Sequence, residues 1–385
     1  MLAAVLFATV VDLIGFGLIL PLLPFYAIHY GASPFMVALL AAVFSIAQFA
    51  AAPVLGGLSD RYGRKPVYIL CTAISAIGYL WLALADTLLA IFLARVLAGI
   101  GSGKIGIAQA IVADSTAPEQ RAKGMGLIGA AFGLGMILGP VLGGLLVGPD
   151  EAHPRFAWPA FAAAGASTLA LLLALTLLRE THVPRAAPGK LFRNPLAGIG
   201  DINRRALWLI LVYFAINFVF AQIETLFPLF TATRLDWHAY DVGLAFTFIG
   251  CIVLTMQGLL IGPLTRWLGE AWVLSVGLVI LATGTAMTWG VFSIPLMAAS
   301  ILCTAGGFGM VNPSINSLIS RAADEGRVGL TMGVNQAMAA LGRVAGPIFG
   351  GLLFDEVGIT LPYLIGGALL LLTLLCGWRV IHAKA

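Results

Sequence analysis

The 385-residue chain is 60% hydrophobic and only 10% charged, with a mean hydropathy of +1.01, whereas soluble domains carry about 25% charged residues. These figures exclude a water-soluble domain. The apolar residues fall in blocks of about 18 to 28, each long enough to cross a ~30 Å hydrocarbon core as a helix, so the expected fold is an all-α membrane protein. The formal charge of +4 and pI near 9.0 must then be read from where the basic residues lie, not as a nucleic-acid signal.

In chain order, twelve transmembrane helices are predicted over 2–28, 35–58, 66–86, 87–113, 121–148, 157–179, 204–232, 240–266, 271–292, 294–320, 329–354 and 359–381. The first lacks a basic leader and contains Asp12, which reads as a retained span, not a signal peptide. With alternate loops on alternate sides, sixteen Lys and Arg residues fall on one side and only Arg155 and Arg234 on the other. Arg95, Lys104 and Arg343 lie inside helices. This bias places the basic loops and both termini in the cytoplasm. Trp158, Trp208, Trp237, Trp267, Trp272, Trp289 and Trp378 sit near helix ends, where amphipathic rings prefer the interface. The four cysteines have no spacing that suggests a metal site or disulfide framework.

The basic, Pro-containing break near mid-chain separates residues 1–180 from 205–385, with 181–204 as a cytoplasmic linker. Gly139-Pro140-x-x-Gly143-Gly144-Leu145 recurs 207 residues later as Gly346-Pro347-x-x-Gly350-Gly351-Leu352, and the same shift carries Met125-Gly126 onto Met332-Gly333 and Ala98-Gly99 onto Ala305-Gly306. One register aligning three places in matching helices predicts two pseudo-symmetric six-helix bundles, a plan that suits a transporter with its site between the repeats.

The segment between helices 2 and 3, Gly57-Leu58-Ser59-Asp60-Arg61-Tyr62-Gly63-Arg64-Lys65-Pro66, is a dense charge cluster between two apolar spans. Topology alone needs Lys and Arg, but not Gly57, Asp60 and Gly63. This segment resembles the cytoplasmic signature of the major facilitator superfamily, G-x-L-a-D-R-x-G-R-[KR]-x. The glycines would let the loop turn tightly, and Asp60 would accept hydrogen bonds from a helix N-terminus in the other half, latching an inner gate. Asp114, Glu119 and Arg121, after helix 4, match the superfamily pattern that joins this network. The second-half counterpart, Gly262 to Glu270, lacks the acid and most basic residues, so a one-sided latch is expected.

Other segments extend the resemblance. Gly129 to Gly144 is similar to the superfamily's antiporter motif. Its Gly135, Gly139 and Gly143, with Gly144 and Pro140 alongside, present a small-residue face for close helix packing. Leu93 to Gly103, centred on Arg95, resembles the helix 4 signature, and Asp12 to Pro24 resembles the first helix of drug:proton antiporters, including the tetracycline-resistance type.

Asp12 lies about 15 Å into helix 1, near the midplane. Exposed in turn to each side, it would bind and release protons, aided by Arg95; the alternative is a structural Asp tied to Arg95 or to the backbone. At about 100° per residue, Ser102 and Gln109 share the direction of Arg95, while Lys104 points about 180° away, so either cation can be the one that faces the cavity. Glu224, beside Gln222 in helix 7, reads equally as a proton site or as an outer gate residue. Phe16, Lys104, Gln109, Asn217, Gln222, Asn312 and Asn316 are the candidate cavity residues. The partner of Arg343 is left open.

The resemblance implies a proton-coupled transporter working by alternating access, an inner-membrane monomer that exports small apolar or amphipathic compounds such as drugs, with protons and the lipid bilayer as its other partners. A carrier of amphipathic anions or lipids is the alternative, followed by a non-transporting membrane sensor. No catalytic triad, metal-ligand spacing or nucleotide loop suggests an enzyme, a cofactor or a nucleic-acid partner.

Overall fold

The computed structural model describes residues 2–116, 121–148, 155–181, 202–323 and 328–382. Among these, regular structure is entirely helical. The helices are α1 (Leu2–Ile19), α2 (Leu23–His29), α3 (Pro34–Tyr62), α4 (Arg64–Ala83), α5 (Leu88–Ser102), α6 (Lys104–Ser115), α7 (Arg121–Val147) and α8 (Ala157–Leu177), followed by α9 (Arg204–Leu235), α10 (Ala239–Thr255), α11 (Ile261–Leu268), α12 (Glu270–Trp289), α13 (Ile294–Ala322), α14 (Val328–Glu356) and α15 (Leu361–Ile381). A π-helical turn, Met256–Leu260, joins α10 to α11. Among the described residues, eleven helical segments, with α5 and α6 counted as one and α10 and α11 as one, are long and apolar enough to cross a membrane, and the bent pair α1 and α2, taken as one span, makes a twelfth.

Three predicted helices are interrupted, the eighth by the π-helical turn between α10 and α11. The first bends by 43° between α1 and α2, where Pro21 and Pro24 remove backbone donors from the helical ladder. The fourth breaks at Gly103, whose N–H bonds three residues back to the Ile100 carbonyl at 3.2 Å. Helix starts follow local chemistry where the sequence offers it: Thr87 Oγ1 accepts from the Ala90 N–H at the head of α5, and Asn203 Oδ1 from the Ala206 N–H at the head of α9.

The chain divides into two compact units, Met1–Ala32 with Val43–Arg193 and His238–Thr247, and Ser33–Ala42 with Asn194–Trp237 and Phe248–Ala385. The predicted linker, 181–204, lies mostly outside the described residues. Within the first unit α1 packs on α7 and α8, and α4 on α5 and α8. Within the second, α9 packs on α14 and α15, and α12 on α13 and α15. The internal pairing is therefore the same in both.

Glycine makes one of these contacts possible in each unit. A Cβ on Gly139 of α7 would fall 2.5 Å from Gly17 of α1, and one on Gly346 of α14 would strike the Phe218 carbonyl of α9. Gly135 and Gly143 meet Leu13 and Leu18 of α1, while Gly144 faces Tyr240. Pro140 and Pro347 lie inside the two glycine-bearing helices.

Candidate functional site

Asp12, on α1, and Lys104, the first residue of α6, form a buried ion pair inside the first unit. Lys104 Nζ donates to Asp12 Oδ1 at 2.6 Å and to Ser75 Oγ at 2.7 Å, and Ser167 Oγ donates to the same carboxylate oxygen at 2.8 Å. The side chains of Lys104 and Asp12 are 5% and 9% exposed. Thr9, Asp12, Leu13, Tyr68, Lys104, Ile105 and Ala108 line a small cavity beside the pair, with room for about one water molecule. The partner of Asp12 is thus Lys104, not Arg95 or the backbone. Ser75 and Ser167, absent from the sequence-derived site, complete its polar shell; isolated serines in apolar helices give no signal of their own.

Arg95 is 3% exposed, and its guanidinium lies 4.2 Å above the centre of the Phe44 ring. Its Nε is enclosed without a hydrogen-bond partner among the described residues. Phe44 in turn is 5.7 Å from Phe16. The two cations of helix 4 are both buried and serve different neighbours: α1 and α4 for Lys104, the face of an α3 ring for Arg95. Gln109 is exposed. The hydroxyl of Ser102, which shares the direction of Arg95, is spent on the Gly99 carbonyl at 2.7 Å.

In the second unit, Arg343 of α14 donates to Asn217 Oδ1 at 3.4 Å, and Asn217 Nδ2 donates to the Tyr213 carbonyl at 2.9 Å. Half-buried Glu224 lies within electrostatic range of Arg343, which supplies the partners that the sequence left open. Tyr213 Oη donates to Asn312 Oδ1 at 3.1 Å, Asn316 Nδ2 donates to the same oxygen at 3.1 Å, and Asn335 Nδ2 donates to Asn316 Oδ1 at 2.9 Å. The result is a polar chain across α9, α13 and α14. Gln222 is buried and donates to the Pro362 carbonyl at 2.6 Å, packed where Gly350 leaves room for it.

The charged motif after helix 2 is not the loop expected from its glycines. Gly57 to Tyr62 complete α3, and Gly63 alone separates it from α4. Gly63 has φ 101°, a conformation that disfavours any side chain, and a Cβ there would meet the Glu180 carboxylate. That carboxylate accepts from the Arg64 N–H at 2.8 Å and the Lys65 N–H at 3.1 Å, capping α4 from 116 residues away. Arg64 reaches Asp60 at 2.5 Å, Asp114 at 3.3 Å and Ser59 Oγ at 2.7 Å. Lys65 Nζ donates to the Leu175 carbonyl at 3.1 Å, and Arg61 lies over the Tyr62 ring at 5.4 Å. Glu119 lies outside the described residues, as does the side chain of Arg121, which opens α7.

The second half is not bare at the matching place. Gly269, with φ 80°, precedes α12 as Gly63 precedes α4. Glu270 pairs with Arg321 at 2.9 Å and accepts from Ser317 Oγ at 2.8 Å. The counterpart of Asp60 is missing from the second half, yet that half carries an ion pair of its own with the charges exchanged relative to Arg64 and Asp114. A motif written as a charge pattern does not register its own inversion.

Comparison with known proteins agrees with this architecture. The family model of the Major Facilitator Superfamily matches residues 5–342 and 257–385. The class C tetracycline resistance protein of Escherichia coli is 32% identical over 97% of this chain and 95% of its own length. Multidrug resistance protein 1 of Bacillus subtilis is 28% identical, covering 97% of this chain and 95% of its own. The crystal structure of the human organic anion transporter MFSD10 (TETRAN) superposes with a TM-score of 0.75 at 26% identity, covering 99% of this chain and 98% of that one. A multi-pass helical chain with this internal repeat, matched along its length by such relatives, belongs to the Major Facilitator Superfamily of membrane transporters.

Proposed function

We propose that the protein is a proton-coupled exporter working by alternating access, which moves small apolar or amphipathic compounds outward across the inner membrane as a monomer with both termini in the cytoplasm. The observation that carries this reading is the Asp12–Lys104 pair, a carboxylate and an ammonium enclosed at 2.6 Å within a predicted membrane span. Breaking a buried pair by neutralising one partner leaves the other charge uncompensated, at a cost of about 3–5 kcal/mol. A proton arriving on the Asp12 carboxylate has that effect on Lys104. The enclosed arrangement then becomes the unfavourable one, and a state in which Lys104 meets water or gives up its own proton is favoured. A membrane potential adds about 2.3 kcal/mol per charge per 100 mV to drive the cycle.

The Asp60–Arg64–Asp114 cluster is read as the inner gate. Exposed pairs are worth about 0–1 kcal/mol each, which suits a contact that must open in every cycle. Glu224 and Arg343 are read as a second acid–base set for coupling, and the amide chain from Asn217 to Asn316 as neutral polar surface for substrate. The names of the bacterial relatives, tetracycline and multidrug resistance proteins, support the direction of transport.

The test is flux in proteoliposomes with an imposed pH gradient, using tetracycline as the probe. Wild-type protein is expected to accelerate probe movement against proton flow, and Asp12→Asn to abolish the dependence on the gradient. Equal gradient-driven flux in both would remove Asp12 from the mechanism.

A further inference from the structure

We propose that Arg95 is the anion-recognising group of the substrate site, so that compounds carried by this protein present a carboxylate or similar acidic oxygen on an aromatic body. This rests on the transport reading above and names its substrate class.

The argument is one of uncompensated charge. Of the two cations in the fourth span, Lys104 is neutralised by Asp12 and bonded to Ser75. Arg95 is as deeply buried, yet no carboxylate and no hydrogen-bond acceptor serves it among the described residues, and its Nε–H is enclosed without a partner. A guanidinium carries five donors, and a buried charge left unpaired is among the most unfavourable groups a fold can hold. Contact with the face of Phe44 offsets part of this and uses none of the N–H edge. The second unit offers a contrast: half-buried Arg343 reaches Asn217 Oδ1 at 3.4 Å and lies in the field of Glu224. Arg95 has no such provision among the described residues.

The chemistry that completes Arg95 follows from its shape. A planar fork of donors matches the two oxygens of a carboxylate and fixes their plane. Phe44, with Phe16 at 5.7 Å beside it, offers ring surface to the apolar part of the same molecule. A neutral or cationic compound of equal shape would leave the guanidinium as it is now and gain nothing from it.

The test uses the full-length protein in detergent, without any proton gradient. A panel of aryl carboxylates, 2-naphthylacetate and indole-3-acetate among them, is compared with the matching primary amides by equilibrium dialysis. Wild type is expected to bind at least one carboxylate at least tenfold more tightly than its amide. Arg95→Gln should lose that preference, binding carboxylate and amide alike, and Arg95→Lys, which keeps the charge without the fork, should retain only part of it. No carboxylate preference in the wild type, or an undiminished one in Arg95→Gln, would overturn the proposal. Where Arg95→Gln does not fold, Arg95→Lys decides, and a preference equal to wild type overturns it. Failure of gradient-driven flux with the preference intact would count against proton coupling and leave this assignment standing.

Discussion

Glu270 and Arg321 hold each other at 2.9 Å where the first half holds Arg64 and Asp114 at 3.3 Å, with the charges exchanged. In both halves the first member opens a helix directly after a positive-φ glycine, and the second lies near the end of the next span. Joining these two points by an ion pair requires opposite charges, in either order. The order has a local consequence: Glu270 suits the positive end of α12, whereas Arg64 opposes that of α4, and there the Glu180 carboxylate supplies the missing negative charge.

Reversing the second pair should therefore be tolerated. Glu270→Arg and Arg321→Glu are each expected to lower the thermal unfolding midpoint, and the double exchange to recover most of the loss. With Arg321 68% exposed, a coupling of about 0.5–1 kcal/mol is expected, smaller at high salt. A double-mutant cycle at two salt concentrations measures it, and strictly additive effects would mean the contact carries nothing.

Glu180 caps the first turn of α4 from just beyond the end of α8. Glu180→Ala should destabilise the first unit by about 1 kcal/mol, the usual scale for losing a helix N-terminal cap, and Glu180→Gln by less. Hydrogen exchange at the first turn of α4 reports this directly, and unchanged protection of the Arg64 and Lys65 amides would contradict it.

The buried pair makes a prediction in which stability and transport part company. Lys104→Met and Asp12→Asn singly should each cost about 3–5 kcal/mol by stranding a charge or its polar partners. Combined, they should restore much of the thermal stability, since neither charge remains, yet leave gradient-driven flux abolished. A double variant no more stable than the singles would show that the two side chains do not act as a pair.

Close approach of α7 to α1 and of α14 to α9 should be intolerant of bulk. Gly139→Leu and Gly346→Leu are expected to cost at least the 1–3 kcal/mol typical of overpacking, because the obstructing atoms include backbone that cannot turn aside. Loss of monodisperse protein on size exclusion is the readout. Gly258→Leu, where nothing lies within 4 Å of an added Cβ, serves as the control and should behave as wild type.

Much of this protein was determined by sequence alone because the controlling forces are local or additive. Long apolar blocks must become helices in a medium that offers no hydrogen bonds to the backbone, and an internal repeat declares duplicate folding units without coordinates. Tertiary structure decided the choices among equals. As a structural residue Asp12 is expected to be tied to Arg95 or the backbone, and its partner is Lys104; the fourth span is interrupted at Gly103, and the two cations are each buried against different helices. Glu180 acts on a helix start 116 residues earlier, and the inverted clasp of the second half escapes any pattern that fixes sign. Pairing energies depend on distance and enclosure, and a linear string of residues contains neither.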